Sequence, residues 1–169
     1  MGWISFKLTG AEALESRLKN LGSQLSQALS VKTNALLFQL QTKIVMKLSG
    51  QALRVKTGAL RSSVAVQNAT EAGGIIRGSV GIPQGGTTYT YGRAHELGVS
   101  APYEIVATRA RALAFQMSTK NKMKTIFAKR VLHPAIPSTP FISSVVEENG
   151  EWVMQELAKT VREVLNRKP

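Results

Sequence analysis

Apolar residues recur along this chain at two different periods, and the changes between them divide it. Ile4, Phe6 and Leu8 alternate with Ser5 and Lys7, a period of two that predicts a short strand ended by Thr9 and Gly10. Thr9 and Glu12 have the spacing of a capping box, in which each side chain satisfies a backbone amide of the first helical turn. Leu14, Leu18, Leu21, Leu25 and Leu29 follow at three-to-four spacing, and after a phase adjustment at Val31 and Lys32 the stripe resumes with Leu36, Leu40, Ile44 and Leu48. A long N-terminal amphipathic helix is therefore expected, allowed a bend at Gly22 and ending at Ser49 and Gly50.

The period then returns to two. Thr57 and Gly58 signal a turn, and Leu60, Val64 and Val66 fall on one side of an alternating run, so a strand is expected from about Ala59. A loop over 70–74 ending in Gly-Gly leads to Ile76, Val80 and Ile82, the return strand of an antiparallel hairpin. Residues 83–90, with Pro83, Gly85 and Gly86, read as a flexible loop, and residues 91–98 as one helical turn closed by Gly98. Strands are expected over 103–109, 111–117 and 125–132, with a hairpin tip over 118–124 that holds Lys120, Lys122 and Lys124.

Pro134, Pro137 and Pro140 stop any strand near Leu132, because each lacks a backbone donor and fixes φ. Ser138 and Thr139 supply capping oxygens and Pro140 suits a first turn, so a helix should begin there. Ile142, Val145, Val146, Trp152, Val153, Leu157, Val161, Val164 and Leu165 continue at helical spacing, with Asn149 and Gly150 as a candidate bend. The expected architecture is one α+β domain over residues 1–169: strand and helix over about 4–49, a mostly antiparallel sheet over about 59–132, and a C-terminal amphipathic helix over about 141–166.

Charge sharpens this picture. The 22 Lys and Arg outnumber 10 acids, giving +12, and every acid is Glu. Residues 49–140 hold 12 bases and 3 acids, whereas residues 141–169 hold 4 and 5. The middle is basic, so it is suited to nucleic acid, anionic lipid or an acidic protein surface, or it is a solvated face. The last helix carries Glu147, Glu148, Glu151, Glu156 and Glu163 beside its apolar stripe, as expected of a surface helix over a sheet or of one meeting the basic face of a neighbouring copy.

No run approaches the roughly 18 apolar residues of a membrane span, and the first residues lack the apolar core of a secretory signal, so no membrane contact is expected. Zero cysteine removes disulfide and thiolate chemistry. Without Asp, the usual two-metal clusters, phosphate-loop partners and calcium loops cannot be assembled in their ordinary form. His95, Glu96 and His133 are the one candidate two-histidine, one-carboxylate metal set, but they are scattered, and two lone histidines are more often packed or surface residues. Ser62, Ser63, Ser143 and Ser144 lack a nucleophile-elbow context. Neither an enzyme nor a cofactor is expected. Arg54, Lys56, Arg61, Arg109 and Arg111 belong to a plausible electrostatic footprint for DNA, although the few aromatics form no base-stacking platform.

Four motifs in order carry a resemblance: Phe6-Lys7-Leu8-Thr9-Gly10 before the leucine helix; Val55-Lys56-Thr57-Gly58-Ala59-Leu60-Arg61-Ser62-Ser63; His95-Glu96-Leu97-Gly98; and His133-Pro134 leading to Pro137-Ser138-Thr139-Pro140-Phe141-Ile142. Over nearly its whole length the chain resembles the neck, or head-to-tail joining and tail-completion, proteins of long-tailed double-stranded DNA bacteriophages, including virion-morphogenesis proteins. Arg54 and Lys56 stand where that family usually has Pro and often Asp.

The resemblance implies a non-enzymatic virion protein, made in the host bacterial cytoplasm, that forms a ring, most often six-fold, in the neck or tail between the portal-adaptor assembly and the tail tube. Its implied partners are itself, the adjacent neck, head-completion or tail-tube proteins, and packaged DNA through nonspecific contact. The alternative is a basic DNA-binding protein using residues 49–140. On the ring reading, Glu147, Glu148, Glu151 and Glu156 would meet Arg109, Arg111, Lys129 and Arg130 between subunits or rings. Lys120, Lys122, Lys124, Gln84 and Tyr89 would sit on docking or DNA-facing loops, and Thr57, Gly58, Leu60, Arg61, Glu96, Gly98, Pro134, Pro137, Pro140 and Phe141 are the structural residues of the motifs.

Overall fold

A computed structural model of the chain describes residues 11–51, 58–108, 110–119 and 122–167. The fold is α+β. In order it comprises α1 (Ala11–Met46), a kinked turn (Lys47–Gln51) in which Ser49 and Gly50 leave helical geometry, α2 (Ala59–Ser62), β1 (Ala65–Ala72), β2 (Ile75–Gly81), α3 (Thr87–Leu97), β3 (Tyr103–Val106), β4 (Leu113–Thr119), β5 (Lys122–Ala128), β6 (Arg130–His133) and α4 (Ser143–Leu165). Two compact units emerge, one from residues 1–84 and 141–169, the other from residues 85–140. The second unit is thus inserted in the chain of the first.

In the first unit α1 packs along α4 and against the β1–β2 hairpin. Ile44, Leu48, Val64, Phe141 and Val145 form the buried core, with Leu40, Leu60, Val80, Ile82 and Ile142 around it. Phe141 is 0% exposed, so its truncation to Ala would remove a full aromatic contact set, an effect worth about 3–5 kcal/mol. The leucine stripe is buried only along the later part of α1. Leu14 and Leu18 are 59% and 60% exposed, because none of the other described elements covers the first turns.

A β-bulge shapes the hairpin: Gln67 pairs with Ser79 and Thr70 with Arg77, so Asn68 and Ala69 together face Gly78. The Ala69 amide donates instead to the Asn34 side chain at 2.7 Å, and the Gln41 side chain donates to the Val64 carbonyl at 2.7 Å. Gly78 lets the hairpin approach α1, since a Cβ there would lie 2.6 Å from Leu37 Cδ1. Gly73 and Gly74, at φ 60° and 77°, close the hairpin in the two-residue turn whose left-handed backbone matches strand twist.

The second unit holds α3 and two further antiparallel pairs, β3–β6 and β4–β5. Strand alternation divides β3–β6 into a half-buried side with Ile105, Val131 and His133 and an exposed side with Glu104, Val106, Arg130 and Leu132.

Several boundaries differ from the sequence expectation, each for a physical reason. Residues 59–62 form a helical turn, and the strand starts at Ala65: Gly58 at φ 73° reverses the chain, and the Ser62 amide closes onto the Gly58 carbonyl at 2.9 Å. The loop expected over 70–74 is mostly strand, because the paired glycines need only two residues to turn. α3 begins at Thr87, four residues before the expected turn. The predicted strand over 125–132 is two strands, and α4 runs unbroken through Asn149 and Gly150. Three two-stranded sheets replace the single sheet expected over 59–132, and α4 lies along α1 rather than over a sheet. The strand expected at 4–8 and the capping box at Thr9 lie outside the described residues.

Candidate interaction surfaces

Beside the apolar core, a seam of polar pairs links α1 and α4 within the chain. Lys32 pairs with Glu156, Lys47 with Glu148 at 2.5 Å, and Lys43 donates to Asn149 Oδ1 while lying 5.2 Å from the Trp152 ring centroid. Asn149, buried in this seam, is satisfied on both sides, since its Nδ2 donates to the Val145 carbonyl at 2.8 Å. The hydrogen bond from Lys32, with the charges of Lys32 and Lys159, holds the Glu156 carboxyl below the usual carboxylate range, against an opposing desolvation effect. Glu148 and Glu156 were expected to face other subunits, yet both have intrachain cations. The pairs run in opposite chain order, Lys32 with Glu156 and Lys47 with Glu148, so the two helices meet antiparallel.

Two of the family-like motifs come together in the second unit. Val99 and Ile136 exchange both backbone hydrogen bonds, at 2.8 and 3.0 Å. Just before this bridge Ser138 Oγ donates to the Glu96 carbonyl at 2.8 Å, and the Thr139 amide donates to the His95 carbonyl at 2.7 Å. Ser138 and Thr139, expected to cap the last helix, instead satisfy carbonyls in the final turn of α3. Gly98 makes the close approach feasible: its φ is 76°, and a Cβ there would stand 2.9 Å from the Ser138 nitrogen and 3.1 Å from the Ile136 oxygen. Glu96, Pro134 and Pro137 flank this pin, while Pro140 marks the end of the unit and Phe141 enters the other core.

The histidines join the same region. His133 stacks on Tyr103 with centroids 5.1 Å apart, and His95 meets the edge of Tyr91 at 4.5 Å. His133 Nδ1 lies 2.8 Å from the Pro134 carbonyl oxygen, which can only accept, so Nδ1 carries the proton. Burial and, secondarily, the charge of His133 lower the pKa of His95. Among the described residues no group of three or more potential metal ligands assembles.

β4 and β5 form an arm whose substantial contacts are with each other. Residues 105–146 contain seven cations and no carboxylate. Lys124 is exposed on β5, Arg111 and Lys129 are exposed near the base of the arm, and Phe127 is 69% exposed. Arg130 differs from the expectation of an intersubunit contact in pairing with Glu104 at 3.3 Å across β3–β6. Lys122 lies in β5 rather than in a loop, Lys120 and Arg109 lie outside the described residues, and so does Thr57. Gln84 is on an exposed turn, but Tyr89 is half-buried on α3, so it cannot act as a loop contact. Leu60 borders the core and Arg61 is exposed on α2.

A polar groove lined by Gly22, Ser23, Ser26, Gln27, Ser30 and Glu71 opens where α1 passes the hairpin turn, with Ser26 Oγ donating to the Glu71 carboxylate. The sequence reading missed this groove. Its signal was the run of small residues, Ser23, Ser26 and Ser30, at helical spacing on the same side of α1 as Leu37, which meets the hairpin at Gly78. No helix among the described residues is long and apolar enough to cross a membrane. The chain matches no protein-family model, no curated protein and no solved structure.

Proposed function

We propose that this chain is a non-enzymatic structural protein of a tailed-phage virion, forming a ring in the neck that joins the head to the tail tube. The observation that carries the reading is the ordered set of four motifs, of which His95-Glu96-Leu97-Gly98 and Pro137-Ser138-Thr139 are hydrogen-bonded partners. Apolar exposure supports it as well: Leu97, Val106, Phe127 and Leu132 are exposed in the inserted unit, and Leu132 is 70% so. Exposed side chains of this kind suit protein contacts, whereas a phosphate backbone gains nothing from Val106 or Leu132. Adjoining copies would meet through heterologous contacts that close into a ring where the rotation permits. Light scattering of the purified chain should give a closed oligomer, and microscopy should place the protein in virions; a monomer absent from particles would refute the reading.

The second reading is DNA binding through the middle of the chain, favoured by the carboxylate-free stretch over 105–146. Its mark would be a mobility shift of random duplex that weakens steeply with salt, in proportion to the phosphates neutralised.

A further inference from the structure

We infer that the β4–β5 arm of one copy docks on the outward face of α4 of a second copy of this chain. This rests on the ring reading above and specifies which surfaces meet. An unsupported two-stranded hairpin is marginal in water, and among the described elements the substantial contacts of this arm are between its own strands. It needs a partner.

The arm presents two chemistries along its length. Near its base the pairs Leu113–Ala128 and Phe115–Ile126 are apolar, and toward its tip stands Lys124, exposed. α4 presents the same division on the side away from its buried Val145, Asn149 and Val164. Glu147, Glu151, Met154, Ala158 and Leu165 recur at helical spacing as one stripe, acidic in its first half and apolar in its second. Met154 is 68% exposed, and neither Glu147 nor Glu151 has an ion pair among the described residues.

The lengths agree too. Seven strand residues span about 23 Å at ~3.3 Å each, and the stripe from Glu147 to Leu165 spans about 27 Å at ~1.5 Å per residue. Laid along the stripe, the lysine end of the arm meets Glu147 and Glu151 while Phe115 and Ile126 meet Met154 and Ala158. The two surfaces differ, so the contact is head-to-tail and propagates from copy to copy.

Charge reversal in the full chain tests this. Lys124→Glu and Glu151→Lys should each weaken self-association about tenfold or more by sedimentation, leaving circular dichroism unchanged. An equimolar mixture of the two single variants should restore assembly, because every junction in an alternating array is again between opposite charges. Restoration only when both changes share one chain would place the contact within a molecule and overturn the proposal. Assembly of the native chain that neither change affects would overturn it while sparing the ring reading, and a native monomer would overturn both. If the native chain instead shifts random duplex, and Lys124→Glu abolishes that shift without altering assembly, the arm serves nucleic acid and the proposal falls.

Discussion

Glycine shows how much a single position can decide. Gly98 combines a left-handed backbone with the near approach of Ser138 and Ile136, so Gly98→Ala must strain φ and displace backbone atoms at once. The expected cost is about 1–3 kcal/mol, read as a lowered urea midpoint. Gly22 lies inside α1 with open space where a Cβ would go, and Gly22→Ala should stabilise by about 0.5–1 kcal/mol through helix propensity. Equal effects from the two changes would refute the pinned geometry. His95 gives a second residue-scale expectation. Its folded pKa lies below the usual value of about 6.5, so the unfolded chain binds the extra proton first. Stability is then full above about 6.5 and declines as the pH falls toward the folded pKa. His95→Gln should flatten that decline in urea titrations from pH 7.5 to 5.5, and an unchanged slope would show that burial does not depress the group. Nothing in the sequence identified these pairings, since Gly98 and Ser138 are forty residues apart; only the turn-closing role of Gly98 was readable, from its place after an apolar turn.

Elements were legible where periodicity was long. α1 and α4 follow from leucine and valine spacing, and the β1–β2 hairpin from alternation and a Gly-Gly turn. What failed was the assumption that a continuous apolar stripe is continuously buried. Leu14 and Leu18 repeat at the same spacing as Leu40 and Ile44, yet burial depends on what lies opposite, and α4 and the hairpin cover only part of the helix. Periodicity reports a face but not its partner. The bulge was equally hidden, because Asn34 and Gln41 look like ordinary polar positions until their side chains are seen on the Ala69 amide and the Val64 carbonyl. Asn34→Ala should leave that amide without its acceptor, costing about 1–3 kcal/mol in urea unfolding. The Ala69 amide should also exchange its hydrogen faster in the variant; unchanged exchange would mean the bulge is held by strand pairing alone.

At the scale of the molecule, the total charge was readable but its use was not. Half of the acids lie on α4, and the sequence offered four of them, Glu147, Glu148, Glu151 and Glu156, to neighbours. Glu148 and Glu156 are committed to Lys47 and Lys32, which leaves Glu147, Glu151 and Glu163 as the carboxylates available for an outside cation. Separation of the second unit was also illegible, because the Pro-Gly stretch at 83–86 and the prolines at 134, 137 and 140 read equally well as an ordinary loop and a strand-to-helix joint.

The way the chain leaves and re-enters the first unit has one more consequence. Ile82, where it departs, and Phe141 and Ile142, where it returns, border the same core. The chain therefore departs for segment 85–140 and returns from it at one core of the first unit, and a short Gly-Ser bridge from 84 to 141 should suffice to prune that segment. Helix, hairpin and closing helix should still melt as one cooperative body, and a pruned chain that gives no sigmoidal transition would mean that the graft sustains its stock.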